Sequence, residues 1–519
     1  MRRTYFLWTA LMGGVTVLVS LGVMEREAAF FITAAIAIGI ALQPIREGLT
    51  LFIITIPFFL ALPFFEHIDS MANWRFLLAI LFLRYLVEQL RATRLTILIA
   101  QLFRSRLFWA TAVFLGWGLV SAAFAPYPII GVKKIIFLGQ IFLLFPIVRF
   151  TAFHDAETGK FKYPDIRNAA LWSLGSVSII GFSQFAGLFL VTLEQFWRFW
   201  AGKVIPVLYG YGLGELLQTS NTWFSYSGDG PPTLRMFSVF PDSHSFAMYV
   251  MLGVSIPAAL WIERGMEHPN QGWLRAMRNK WFWIALALLF AIVLSGSRGV
   301  WASAVVLALL LCVLRVYTGR LQGLSEQSKG VLRTVTQKLI TLLICFAVLF
   351  VPASYLLALT QWAQGAKADA FTSLKRAKSI TDLDEISNRS RLQIWQAAGR
   401  TILANPVLGI GTGNFSVALG EDIDAAKKGA SAHNLYLDIA SEMGMVGLAG
   451  FVAIIALLMW SLGAQALSPA MPASSKILAG TFLVCLVWIL GYSFFDVVLF
   501  NDKVLMFAAL MAGMTYRQA

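Results

Sequence analysis

The chain has 519 residues, of which 58% are hydrophobic and only 13% charged, with a mean hydropathy of +0.72. Soluble domains carry roughly 25% charged residues, so a string of soluble domains is excluded and the composition is that of a polytopic membrane protein. The net charge of +14 is therefore read against membrane topology first, and nucleic acid is not an expected partner.

A bilayer crossing needs about 20 mainly apolar residues, and about fourteen such runs occur. In chain order the clear ones lie near 5–23, 28–43, 47–65, 107–125, 129–148, 168–192, 244–262, 281–296, 299–316, 338–358, 435–462 and 475–494, with weaker ones near 74–90 and 500–516. The stretch 95–103 is too short to cross and is flanked by Arg91, Arg94, Arg104 and Arg106, so an interfacial helix is expected there. Met1-Arg2-Arg3 leads into an apolar run with no small-residue cleavage pattern, which predicts a retained anchor. Cys312, Cys345 and Cys485 all fall inside apolar runs, away from any CxxC spacing, and read as packing residues. The expected fold class is an all-α polytopic membrane protein with about 12–14 transmembrane helices. The expected division is N-terminal helices over 1–192, an external loop over 193–243, helices over 244–360, a large external loop over 361–432, and C-terminal helices over 433–519.

Short cytoplasmic loops collect Lys and Arg. One alternating set of loops is rich in them, with Arg46, Arg149, Lys160, Arg275, Lys280, Arg320, Lys329 and Lys476 among its members. The short loops of the other set contain only Arg26. Both termini are therefore expected inside, and the two long loops outside. The second long loop is the most polar region, with Lys375, Arg376, Lys378, the acidic stretch 382–385, Arg389, Arg391, Lys427 and Lys428.

Charged groups beside a membrane span are functional candidates by default. Ser295-Gly296-Ser297-Arg298-Gly299 interrupts one hydrophobic stretch and suits a tight outward turn carrying a guanidinium. Arg235 precedes Pro241-Asp242-Ser243-His244, where Asp242 and Ser243 are expected to cap the next helix and His244 to be an interfacial imidazole. Lys133 and Lys134 lie at the outer end of a span, where snorkelling competes with attraction for a diphosphate. His433 opens the span from 435, with Asp438 and Glu442 four apart on one helical face pointing into the bundle. An imidazole there is suited to general-base work on a hydroxyl. No GxxxxGK[ST] or HExxH is present, and His67, His154, His244, His268 and His433 are scattered, so neither an ATPase loop nor a metal site is expected. Asp382-Leu383-Asp384 reads as a solvated acidic face rather than a metal-binding DxD.

His433-Asn434-Leu435-Tyr436-Leu437 with Glu442-Met443-Gly444 and Gly447 resembles the HNxyL…ExGxxG signature of the O-antigen ligase and Wzy-type polymerase superfamily. Ser297-Arg298-Gly299 is similar to that family's SRG, and Arg391 to Trp395 with Asn405 to Phe415 is similar to its R-x-x-x-W…NPxxGxGxxxF segment. The resemblance covers about 230–450. It implies a GT-C-like, metal-free, cofactor-free, inverting transferase of the bacterial inner membrane with a periplasmic site. The implied donor is a glycan on undecaprenyl diphosphate, held among membrane lipid, and the implied acceptor is a saccharide, a lipid A-core or a protein. It further implies that Arg298 and Arg235 hold the diphosphate and that His433 orients or deprotonates the acceptor hydroxyl. Lys133, Lys134, Arg389, Arg391, Asn434 and Glu442 are the expected substrate-binding residues. The chain departs from the family's small-Pro-Asn element at Pro241-Asp242-Ser243-His244. A flippase or transporter for the same lipid-linked glycan is the alternative, for which charges on both sides of the midplane would be expected.

Overall fold

The computed structural model describes residues 2–64, 71–153, 164–218, 223–225, 232–267, 277–318, 326–365, 386–419 and 431–517. Lipid offers no partner to a backbone N–H or C=O, so long apolar runs close their hydrogen bonds internally as helices. Among the described residues, eight helices are long and apolar enough to cross a membrane: Arg106–Ala123, Pro128–Thr151, Asp165–Gly187, Ser243–Glu267, Arg298–Tyr317, Ser328–Ala363, Leu435–Leu467 and Ala473–Tyr492. Shorter apolar helices run Thr4–Ser20, Ala28–Leu42, Leu95–Arg104 and Lys280–Leu294. The chain is an all-α multi-pass membrane protein, and its described strands are two antiparallel pairs of two residues each.

The Ser243–Glu267 helix is the central pillar. It is apolar all round, buried from Ser245 to Ile262, and packed by Ala473–Tyr492, Lys280–Leu294, Asp502–Thr515 and Pro164–Gly187. Pro257 within it is tolerated because neighbouring helices enclose the freed carbonyl.

The run 47–65 is not the continuous span its composition predicts. A helix over Ile45–Thr55 tightens to a 3₁₀ turn at Ile56–Phe58 and then gives the strand pair Ala61–Leu62 with Met71–Ala72. Pro57 lacks the N–H that a continuing helix needs. Irregular backbone survives at this depth because it is buried in protein. Asn73 accepts from Leu60 N at 3.1 Å and donates to Thr33, and the Pro57 carbonyl accepts from the buried Lys503 Nζ at 2.9 Å.

The connection after 192 folds as short helices Leu193–Phe199, Ile205–Tyr209 and Tyr211–Gln218 around a π turn, Trp200–Val204. It has its own core, in which Trp223 stacks on Phe237 at 4.2 Å beside Phe196, Leu217 and Leu234. The described part of the second long connection contains the helix Ile386–Ala404 and a glycine-rich segment leading to Phe415–Ala418. The acidic stretch 382–385, Lys375, Arg376, Lys378, Lys427, Lys428, His67, His154 and His268 lie outside the described residues.

Candidate active site

Four helix ends meet at one end of the bundle: the starts of Ser243–Glu267, Arg298–Tyr317 and Leu435–Leu467, and the finish of Ala473–Tyr492. The turn Ser295-Gly296-Ser297 joins the helices Lys280–Leu294 and Arg298–Tyr317, with Gly296 at φ +64°. A Cβ there would stand 3.3–3.4 Å from Cγ and Nε of Arg235, so glycine lets the arginine stem lie against the turn. Arg235 is held from both sides. Its backbone N–H donates to Trp223 O at 2.8 Å, its Nε donates to Ser295 O at 3.1 Å, and its Nη2 lies 3.1 Å from His244 Nε2. The side chain is buried, and burial pulls its pKa down to about 10, so it remains charged at neutral pH. The Arg298 charge is near enough to push it the same way.

His244 sits behind Arg235. Its Nδ1 is 2.6 Å from Tyr492 OH, 3.1 Å from Ser297 Oγ and 3.4 Å from Asp496 Oδ2. Burial pushes Asp496 up to about 6, against the downward pull of the Val497 N–H and of Arg391 and Arg235. Asp242 caps the central helix by accepting from Ser245 N at 2.7 Å and Ser245 Oγ at 2.8 Å. Ser243 does not share that role, since its buried Oγ makes no hydrogen bond among the described residues.

His433 is fixed by its neighbours rather than by its own ring. Ala432 donates through its N–H to Asp438 Oδ1 at 3.0 Å and accepts from Trp395 Nε1 at 3.0 Å. Asn434 Oδ1 accepts from Tyr436 N and Leu437 N, and Leu435 N donates to Ser493 O at 2.8 Å. These anchors hold His433 at φ +46°, in the left-handed region. Its Nδ1 is buried without a hydrogen-bond partner among the described residues. Burial and the Arg391 charge lower its pKa, which keeps the imidazole neutral at pH 7. Arg391 is one turn before Trp395 on the same helical face. The contact from Trp395 to Ala432 thus carries Arg391 to both His433 and Asp496.

Beneath His433, Lys134 Nζ lies 2.5 Å from Glu442 Oε2 and 3.8 Å from Asp438 Oδ2, and both carboxylates are buried. The long helix is broken just past them, at Gly444, with φ +68°. The glycine-rich segment repairs the break: Ile410 N donates to Ser441 O, Gly411 N to Glu442 O, and Met445 N to Pro406 O, at 2.8–3.0 Å. A Cβ on Gly409 would stand 2.4 Å from the Glu442 backbone, and one on Gly411 only 2.1 Å from Ala125.

Of the residues singled out from sequence, Arg235, Arg298, Arg391 and His433 converge, with Asn434 as the helix cap. Lys134 and Glu442 are joined to each other below them. Lys133 and Arg389 are exposed. Tyr492 and Asp496 went unnoticed in the sequence, although an acidic residue just past a span is itself a candidate signal. His244, read there as an interfacial group, is a bridge between Arg235 and Tyr492. Among the described residues no group of three or more His, Cys, Asp or Glu is placed to hold a metal ion.

Residues 283–452 match the family model described as O-antigen ligase, Wzy_C. The matched third of the chain contains Arg298, Arg391, Trp395 and His433, and leaves Arg235, His244, Tyr492 and Asp496 outside it. No curated protein matches the chain.

Proposed function

We propose, with the O-antigen ligase domain at 283–452 as the premise, that this protein moves saccharide from an undecaprenyl-diphosphate donor to an acceptor hydroxyl at the outer face of the inner membrane. The observation that carries this reading is a neutral imidazole, His433, whose Nδ1 is unbonded among the described residues, beside the Arg391 guanidinium, which together with Arg235 acts on Asp496, while Arg298 acts on Arg235. Clustered positive charge in a partly buried site is unfavourable by itself and becomes favourable around an anion.

In the transfer, the acceptor oxygen forms a bond to the anomeric carbon as the bond from that carbon to the diphosphate oxygen breaks. The electron pair leaves with undecaprenyl diphosphate, and inversion follows from attack opposite the leaving group. Arg235 and Arg298 neutralise the charge that grows on the diphosphate, work that guanidiniums do through paired charge-assisted hydrogen bonds. His433 takes the acceptor proton, a contribution of about 10²–10⁴-fold. Arg391 keeps that imidazole unprotonated beforehand. Lys134, Glu442 and Asp438 support the His433 turn from below.

The test is in vitro transfer by purified protein with a polyprenyl-diphosphate glycan in the presence of EDTA, comparing wild type with His433→Ala and Arg298→Ala. Transfer that survives EDTA and is lost in both variants supports the reading, and product length separates a polymerase from a ligase. Full activity in His433→Ala removes the base. Donor binding without transfer to any acceptor turns the assignment toward a transporter.

A further inference from the structure

We propose that His244 is a positioning residue, held as the Nδ1–H tautomer by Tyr492 and Asp496 so that its Nε2 lone pair aims Arg235 at the donor diphosphate; this rests on the diphosphate-binding part of the reading above.

The chemistry of the partners fixes the tautomer. A guanidinium has five N–H donors and no acceptor, so the 3.1 Å contact from Arg235 Nη2 requires a lone pair on His244 Nε2. A neutral imidazole with its lone pair there carries its proton on Nδ1. Nδ1 faces the oxygens able to receive it: Tyr492 OH at 2.6 Å, Ser297 Oγ at 3.1 Å and Asp496 Oδ2 at 3.4 Å. Asp496 thus orients an imidazole whose other nitrogen orients a cation.

Arg235 needs this second support. Its Nε is pinned to Ser295 O and its stem lies against Gly296. The Nη2 contact adds a second point of attachment at the far end of a planar guanidinium, which together with the Nε bond fixes its plane. Held there, Arg235 stays in a plane fixed by both the 295–297 turn and the central helix. The position is also where the chain departs from its family's small-Pro-Asn element, and it lies outside the matched segment.

Doubly protonated His244 could not serve, since Nε2–H would oppose the Arg235 N–H and add a second positive charge 3.1 Å away. Among the described residues, the ionisable groups about the ring include Arg235 and Asp242 on the segment leading into its helix and Tyr492 and Asp496 at and just past the end of Ala473–Tyr492, with Arg298 acting on Arg235 and Arg391 acting on Asp496.

The experiment is direct binding of undecaprenyl diphosphate to the full-length, detergent-solubilised protein, which needs no turnover. Wild type is compared with Arg235→Gln, His244→Leu, His244→Gln and Tyr492→Phe. His244→Leu is expected to weaken binding about tenfold or more. His244→Gln, whose amide oxygen also accepts from a guanidinium, is expected to recover most of that loss. Tyr492→Phe, which frees Nδ1 from its shortest contact, should fall between them. In transfer assays the donor KM should rise in His244→Leu while the acceptor KM stays put. If wild type itself fails to bind the probe, the diphosphate reading fails. If wild type binds and Arg235→Gln does not, but His244→Leu binds as well as wild type, the positioning role alone is overturned. Should His244→Leu not fold, equal losses in His244→Gln and Tyr492→Phe overturn the role, because acceptance at Nε2 would not be what matters.

Discussion

His433 combines a left-handed backbone, held by its anchored neighbours, with a buried Nδ1 that is unbonded among the described residues and a pKa lowered by burial and by Arg391. A base acts in its neutral form. Transfer should therefore hold as pH falls past the ordinary histidine value of about 6.5, and decline only through the lower value of His433. Arg391 contributes to that lowering, so Arg391→Gln should move the acid limb of the pH–rate profile to higher pH. A limb that stays in place would detach Arg391 from the imidazole. Arg298→Gln retains size and polarity but not charge. It is expected to reduce turnover by about 10²–10³, as for loss of one preorganised donor to developing charge, which single-turnover kinetics would measure.

The element that matters most is the interrupted Leu435–Leu467 helix. Its break at Gly444 exposes carbonyls at Ser441 and Glu442, and the 405–414 segment docks on them through its own N–H groups. Close backbone approach explains the glycines there better than mobility does. Gly444→Ala would put a methyl group 2.0 Å from Val407 O at φ +68°. A backbone carbonyl cannot give way cheaply, so a loss of about 1–3 kcal/mol or more is expected from the backbone strain. Gly175 sits in the Pro164–Gly187 helix with open space around it. Gly175→Ala should leave stability unchanged or raise it by up to about 1 kcal/mol. Thermal unfolding of the two variants in the same detergent gives the comparison, and equal melting temperatures would refute the docking account.

At the scale of the whole molecule, the matched domain does not stand alone. Lys134, from the Pro128–Phe142 helix, enters the acid pair under His433, and Ser121 Oγ, from Arg106–Ala123, donates to Leu408 O and lies 2.9 Å from Glu442 O. Lys503 Nζ bridges Pro57 O and Val239 O, joining the N-terminal helices to the segment that carries Arg235. Removing one partner of a buried ion pair leaves an uncompensated charge and costs about 3–5 kcal/mol. Lys134→Met should destabilise the protein by that order. Glu442→Gln in the same chain should restore part of the loss, because fewer buried charges then lack a partner. Strict additivity of the two changes would show that the pair does not interact.

Local chemistry explains why some features were legible from the sequence. Length of apolar run marked the spans, since lipid forces such runs into helices. The spacing of Arg391 to Trp395, and the order from Ser297-Arg298-Gly299 to His433-Asn434, carried the resemblance that the match over residues 283–452 bears out, because each motif is a contiguous stretch of chain. Asp438 and Glu442 were correctly set on the inward face by the helical repeat. Tertiary structure alone decided the rest. Whether the run at 47–65 continues as a helix depended on whether Asn73 and Lys503, distant in sequence, reach the backbone freed near Pro57. Whether Lys134 faces a ligand or an acid depended on where the Leu435–Leu467 helix packs. The link from Asp496 through His244 to Arg235 joins three segments whose separation in the chain has no periodicity. Hydrogen bonds act over about 3 Å, and only the packing of helix ends brings such groups within that distance.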